Sequence, residues 1–167
     1  DLELCRFYCL YSGIKKETCH YLGADHDHFL HFKEILLNKK NINLDFIKRP
    51  SDSISTQIID YLKGIRKSFN IDYSLLIGTD FQKDIWSSTS KIPYGMTKSY
   101  KDIAFMINKP NAYRAAGNAL GKNPLLIIIP CHRVVKSNKD IGNFSSGTWL
   151  KRYLLELEAS INNGQDI

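Results

Sequence analysis

Residues 4–22 are dense in Cys, Phe, Tyr and Thr and break at Ser12-Gly13, a pattern that predicts two short strands around a turn. A helical pattern covers 26–37. Arg49-Pro50-Ser51-Asp52-Ser53 reads as a loop ending in a helix cap. Ile54, Ile58, Tyr61, Leu62 and Ile65 then recur at spacings of three and four, the mark of a helix with one buried face. Residues 71–77 predict a buried strand, and Gly78-Thr79-Asp80 closes a first unit.

Beyond that point the pattern turns helical. Phe81, Ile85 and Trp86 share one face of a helix capped by Thr79 or Asp80, and Ile92-Pro93-Tyr94-Gly95 is a turn by its proline and glycine. Ser99 caps a short helix with Ile103, Met106 and Ile107 inward. A brief turn over 108–110 leads to a second short helix over 111–120. Helix, tight turn, helix fits a helix-turn-helix and equally an ordinary helical hairpin. The apolar run 125–129 predicts a strand buried on both faces, and a last helix is expected over 148–159. The expected architecture is α/β (α+β): a unit over 1–78 with a small antiparallel sheet and helix, and a mostly helical unit over 79–167.

Composition narrows the class. The 167 residues are 43% hydrophobic and 24% charged, as in ordinary globular proteins, and no apolar run approaches the roughly 20 residues of a membrane helix. The sequence opens Asp1-Leu2-Glu3, without the basic start or apolar core of a signal peptide, so a cytoplasmic location is expected, or a nuclear one in a eukaryote. The net charge of +6 is unevenly placed: residues 1–80 balance 11 basic against 11 acidic, whereas 81–167 hold 12 against 6. Such a field suits a polyanion, although a solvated basic face gives the same count.

Cys5, Cys9, Cys19, His20, His26 and His28 are zinc-type donors, but their spacing fits no short-loop zinc knuckle, and no metal is expected. Ala112, Ala115, Ala116 and Ala119 form a stripe without bulk, with Gly117 beside it and Arg114 projecting from the same helix. Small residues there admit either a neighbouring helix or a phosphodiester backbone. The fourth cysteine stands in Pro130-Cys131-His132-Arg133-Val134-Val135, after the buried run. A thiol beside an imidazole is a candidate nucleophile, since cations and helix N-termini lower cysteine pKa values; a structural cysteine is the plain alternative.

The run Ile-Pro-Cys-His-Arg-Val-Val at 129–135 resembles the active-site signature of the O6-alkylguanine-DNA alkyltransferases. The resemblance extends through Phe81-Gln82, Trp86, Ile92-Pro93-Tyr94-Gly95, Thr97, Ser99-Tyr100, Arg114-Ala115-Ala116-Gly117-Asn118-Ala119 and Gly121-Lys122-Asn123-Pro124. It continues in Gly142-Asn143-Phe144-Ser145 and the helix carrying Glu158, and so spans nearly all of 81–158. It implies a ribonuclease-H-like first domain and a second domain with a helix-turn-helix and a short strand bearing the cysteine.

It also implies a single-use repair reaction with no cofactor. Cys131 takes the alkyl group from O6-alkylguanine, and from O4-alkylthymine, in double-stranded DNA. His132 acts on Cys131 through a water, Glu158 orients His132, and Tyr100 supplies a proton to the purine. Asn123 braces the active-site segment. Ser145, Phe144 and the carbonyl of Val134 contact the base. Arg114 fills the gap left by the flipped base, while Ala112, Tyr113, Ala115, Gly117, Lys122 and Ser137 meet the duplex. A monomer suffices for one repair event.

Phe144, Leu126 and Ser146 depart from frequent family residues, which bears on pocket size and on reduced sensitivity to benzylguanine-type compounds. The alternative kept beside transfer is a non-catalytic module that recognises alkylated DNA. A cysteine hydrolase would leave the basic helix-turn-helix unexplained, and a helix-turn-helix regulator would leave the thiol unexplained.

Overall fold

A computed structural model describes residues 7–12, 18–24, 26–40 and 52–163. Cys5, Gly13 and residues 49–51 of the loop expected over 49–53 lie outside the described residues, while Asp52 and Ser53 already belong to a helix. Strands β1 (Tyr8–Ser12) and β2 (Thr18–Gly23) pair antiparallel, with the register slipping between Leu10 and Tyr11. Helix α1 (His26–Lys40) packs Phe32 and Leu36 against Leu10 and Tyr21 to form a small core. Helix α2 (Asp52–Leu62) buries Ile54, Ile58 and Tyr61, as the three-and-four spacing predicts, but Ile65 lies past its end and is exposed.

Two expectations for this region need correction. The buried strand over 71–77 shrinks to β3 (Asp72–Tyr73), whose two residues are exposed. It pairs parallel to β2 through Thr18 and Cys19, so the sheet is mixed rather than antiparallel. An apolar run without a long partner strand has nowhere to place its backbone hydrogen bonds, and it stays largely irregular.

Helix α3 (Asp80–Ser90) begins with a reciprocal cap: Gln82 N–H donates to the Thr79 hydroxyl at 3.3 Å and Thr79 N–H donates to the Gln82 side chain at 2.9 Å. Gly78 precedes it at φ +106°, and a Cβ there would stand 2.5 Å from the Trp86 ring, so both the backbone angle and the space call for glycine. Strand β4 (Lys98–Ser99) leads directly into α4 (Tyr100–Met106), where Ser99 and Asp102 repeat the reciprocal cap. A turn at 107–109 and one 3-10 turn (Pro110–Ala112) then open α5 (Tyr113–Leu120), which starts two residues later than expected. The helix-turn-helix is present, although Met106, expected inward, is 41% exposed.

The alanine stripe divides between two faces. Ala116 and Ala119 are buried where α5 meets α3, and Trp86 Nε1 donates to the Ala119 carbonyl at 2.8 Å. Arg114 and Ala115 remain exposed. Short β5 (Val134–Val135) runs parallel to β4, and α6 (Thr148–Asn163) follows it. The main core mixes Cys19, Leu22, Ile54, Ile58 and Tyr61 with Ile85, Trp86, Leu125, Leu150 and Leu154, so both halves of the chain contribute to it.

Residues 125–129 are buried except Ile128, as their composition demands, but they form a tight turn and not a strand. Only Leu125 bridges a strand, at Leu22 of β2, held by Leu22 N–H to Pro124 O at 2.8 Å and Leu126 N–H to Leu22 O at 2.7 Å. The chain then doubles back, with Ile129 N–H donating to Leu125 O at 2.9 Å and Ile127 at φ +71°. A β-branched residue in the left-handed region is strained, and the buried neighbours on all sides hold it there.

Candidate active site

Cys131 does not sit on a strand, as expected, but in a 3-10 turn, Cys131–Arg133, between that tight turn and β5. Asn123 organises the approach to it. Its Nδ2 group donates to Ile129 O at 3.0 Å and Leu125 O at 3.3 Å and lies 3.2 Å from Cys131 Sγ, while its Oδ1 accepts from Leu125 N–H at 3.0 Å. One amide therefore ties both ends of the turn to the sulfur.

The thiol is 5% exposed. Burial raises its pKa above the ordinary value, and the Asn123 hydrogen bond and the Lys151 charge offset this only in part. This corrects the expectation of a lowered pKa: at rest Cys131 is a thiol.

The next residue carries a buried imidazole. His132 is fully enclosed, and burial holds it below 6.5 despite Glu158, so it is neutral near pH 7. Its Nε2 meets Glu158 Oε1 at 2.9 Å, and its buried Nδ1 has no protein partner. A carboxylate at Nε2 fixes the proton there and leaves the Nδ1 lone pair free.

Glu158 is 1% exposed and is the centre of a dense cluster. Arg133 Nε donates to Oε1 at 3.0 Å and Oε2 at 2.9 Å, Arg133 Nη2 to Oε1 at 2.8 Å, and Gly95 N–H to Oε2 at 2.8 Å. The Tyr61 hydroxyl adds a further hydrogen bond to Oε1. Burial pushes the carboxyl up, but the bonds from His132, Arg133 and Tyr61 outweigh it and hold the pKa at about 2.

A pocket of about 240 Å³ opens onto Cys131, walled by Tyr100, Gly117, Phe144, Ser145 and Lys151 among others. Tyr100, at the start of α4, has its pKa raised, chiefly by burial and further by the Asp140 charge, so it keeps its proton. Gly117 faces this ring, with an added Cβ 3.6 Å from it, and so lines the pocket. The Val134 carbonyl already accepts from Lys151 Nζ at 2.6 Å, and the Cys131 carbonyl from Val134 N–H; each keeps a second lone pair. Leu126 is buried among core side chains and is not part of the pocket wall.

Tyr113, Arg114, Ala115 and Lys122 are exposed, Ala112 is half-buried, and Ser137 lies on an exposed turn after β5. Sequence reasoning missed Tyr61, Arg133 as a Glu158 partner, and Lys151. Lys151 is 1% exposed, with its amine 5.8 Å from the centre of the Tyr100 ring and 5.7 Å from that of Phe144, and burial lowers its pKa to about 8. Lys151 and Glu158 are seven residues apart on one helix, two turns, and that spacing was the available signal. Among the described residues, no cluster of three His, Cys, Asp or Glu could hold a metal, and no helix is long and apolar enough to cross a membrane. Cys9, Cys19 and Cys131 are free thiols.

Fold and site together define a helix-turn-helix protein with an enclosed cysteine next to a buried imidazole–carboxylate pair. Residues 80–160 match the family model of the 6-O-methylguanine DNA methyltransferase DNA-binding domain. The methylated-DNA–protein-cysteine methyltransferase of Methanosarcina barkeri is 41% identical over 152 residues, 89% of this chain and 96% of its own. The inducible enzyme of that name from Bacillus subtilis is 44% identical over 113 residues, 68% of this chain and 63% of its own. The crystal structure of Mycobacterium tuberculosis OGT in complex with DNA superimposes with a TM-score of 0.69 at 31% identity, covering 92% of this chain and 87% of that one. The chain belongs to the methylated-DNA–protein-cysteine methyltransferase family.

Proposed function

We propose that this protein repairs alkylated DNA by moving the alkyl group of O6-alkylguanine, in duplex DNA, irreversibly onto Cys131. The observation that carries the reading is the buried thiol at the wall of a pocket of about 240 Å³, braced by Asn123 and followed in the chain by the buried His132–Glu158 pair.

The Cys131 proton passes through a water to Nδ1 of His132, whose other nitrogen is held by Glu158. The sulfur attacks the alkyl carbon: the S–C bond forms and the C–O6 bond breaks. Tyr100 donates toward the purine as charge leaves on the guanine, and Ser145 is placed to hydrogen-bond near O6. The products are guanine and S-alkylcysteine, so atoms balance without a co-reactant. A thioether has no easy hydrolysis, and each molecule acts once.

Reaching a stacked base requires flipping it out, at a cost of a few kcal/mol. Exposed Arg114 on α5 fills the gap, and Ala112, Tyr113, Ala115, Lys122 and Ser137 meet the duplex. Residues 79–167 carry binding and transfer, and β2 and α2 from the first half pack against them in the main core. The protein acts as a monomer in the compartment that holds DNA. The presence of Cys131 with its base argues against a silent recognition module.

The test is peptide mass spectrometry after mixing with a stoichiometric duplex containing one O6-methylguanine, beside Cys131→Ser. One methyl on the Cys131 peptide, saturating at one per protein, is expected. Tight lesion binding without a mass change would instead favour the recognition module.

A further inference from the structure

Tyr61 lies in the last turn of α2, far in sequence from the transfer site, yet it is fully enclosed beside it. Its ring packs against Phe69 at 5.0 Å and edge-on against Tyr94 at 6.0 Å. Phenylalanine would fill that space equally well. A hydroxyl so deeply buried costs free energy unless it is bonded, and this one donates to Glu158 Oε1, the same oxygen that His132 Nε2 meets at 2.9 Å. The Tyr61 oxygen itself stands 3.2 Å from Nε2. Phenol, carboxylate and imidazole thus close a triangle contributed by α2, α6 and the Cys131 turn.

We propose that Tyr61 is a positioning residue of the transfer reaction, setting Glu158 and, through it, His132 from the first half of the chain. The inference rests on the alkyl-transfer reading of Cys131. By donating to Oε1, Tyr61 disperses charge on the oxygen that holds the His132 proton, so the carboxylate makes the imidazole less basic than it otherwise would. The other groups facing the pair are Arg133 on the carboxylate, the Gly95 amide, Tyr94 beneath the Arg133 guanidinium at 5.6 Å, Lys151 from α6, and Cys131.

The experiment measures single-turnover methyl transfer from an O6-methylguanine duplex across pH, scaled to each protein's end point, for wild type, Tyr61→Phe and Phe69→Leu. The scaling removes any loss of folded protein. For Tyr61→Phe, the acidic limb of the rate profile moves to higher pH by about half a unit, a ~threefold lower rate on that limb. Phe69→Leu loosens the same packing but keeps the hydroxyl, and its limb stays where the wild type's is.

An unmoved limb in Tyr61→Phe, or an equal shift in Phe69→Leu, overturns the proposal. If Tyr61→Phe does not fold, the wild type decides by NMR: a slowly exchanging Tyr61 hydroxyl proton with a nuclear Overhauser effect to the His132 ring is expected, and its absence overturns the proposal. A wild type that gains no methyl fails the transfer reading itself. Transfer with an unmoved limb fails only the role given to Tyr61.

Discussion

Asn123 and Cys131 are joined side chain to side chain, Nδ2 to Sγ at 3.2 Å, across the tight turn that the same amide closes through Leu125 and Ile129. The position of the nucleophile and the shape of the preceding backbone are therefore one property of the protein. Asn123→Ala takes the Asn123 side-chain oxygen from the buried Leu125 amide, while the Leu125 and Ile129 carbonyls lose one donor each and keep Ile129 N–H and Cys131 N–H. Buried groups left unpaired cost about 1–3 kcal/mol, so a lower thermal midpoint should accompany slower transfer. A slower rate at an unchanged midpoint would mean that the amide serves the sulfur alone.

Glu158→Gln should be among the most damaging single changes. It removes the countercharge from buried Arg133, a loss of about 3–5 kcal/mol for a broken buried pair. Urea unfolding at neutral pH measures it.

The same carboxyl should govern acid stability. Its folded pKa of about 2 lies below its ordinary 4.5, so between these values the unfolded chain binds more protons than the folded protein. Its contribution is complete above 4.5 and is lost as pH falls toward 2. Unfolding midpoints should decline through that window in the wild type and less steeply in Glu158→Gln.

Cys131 rests as a thiol and His132 as a neutral base. Iodoacetamide should therefore label Cys131 more slowly than free cysteine near neutral pH. The transfer rate should hold level through neutral pH and decline only below the ordinary histidine value of 6.5, where His132 gains its own proton. Faster labelling than free cysteine would show a preformed thiolate and no need of a base.

Arg114 is exposed at the start of α5 and takes no part in the Cys131 cluster. Arg114→Ala should slow repair of a duplex about tenfold, equivalent to ~1.4 kcal/mol, and flatten the salt dependence of binding. Transfer from free O6-methylguanine base should hardly change, because no base needs flipping. An equal loss with the free base would place Arg114 in the chemistry.

Local signals in the sequence were enough for α2, α3 and α4, because a three-and-four spacing and a Thr79 or Ser99 cap act within a few residues. The helix-turn-helix was legible for the same reason. So was the motif around Cys131, whose residue types carry their chemistry wherever the chain places them. The run 125–129 marks itself as buried but cannot say whether it is strand or turn: burial depends on composition, whereas backbone shape depends on which groups take its hydrogen bonds. Here Asn123 takes them, together with Leu22, a hundred residues earlier. The alanines of α5 likewise gave a stripe, but only packing against Trp86 assigned Ala116 and Ala119 to the core and left Ala115 outside.

Glu158 shows the division most plainly. Alone in the sequence it is a helix carboxylate of the kind that water surrounds. Its partners are Tyr61, Gly95, His132 and Arg133, drawn from three separate stretches of chain and converging on two oxygens. The sequence by itself determined which groups can react, since nucleophilicity and basicity belong to the side chains. The tertiary structure decided which group holds which proton, because burial and hydrogen-bond partners set a pKa and neither exists until the chain has folded.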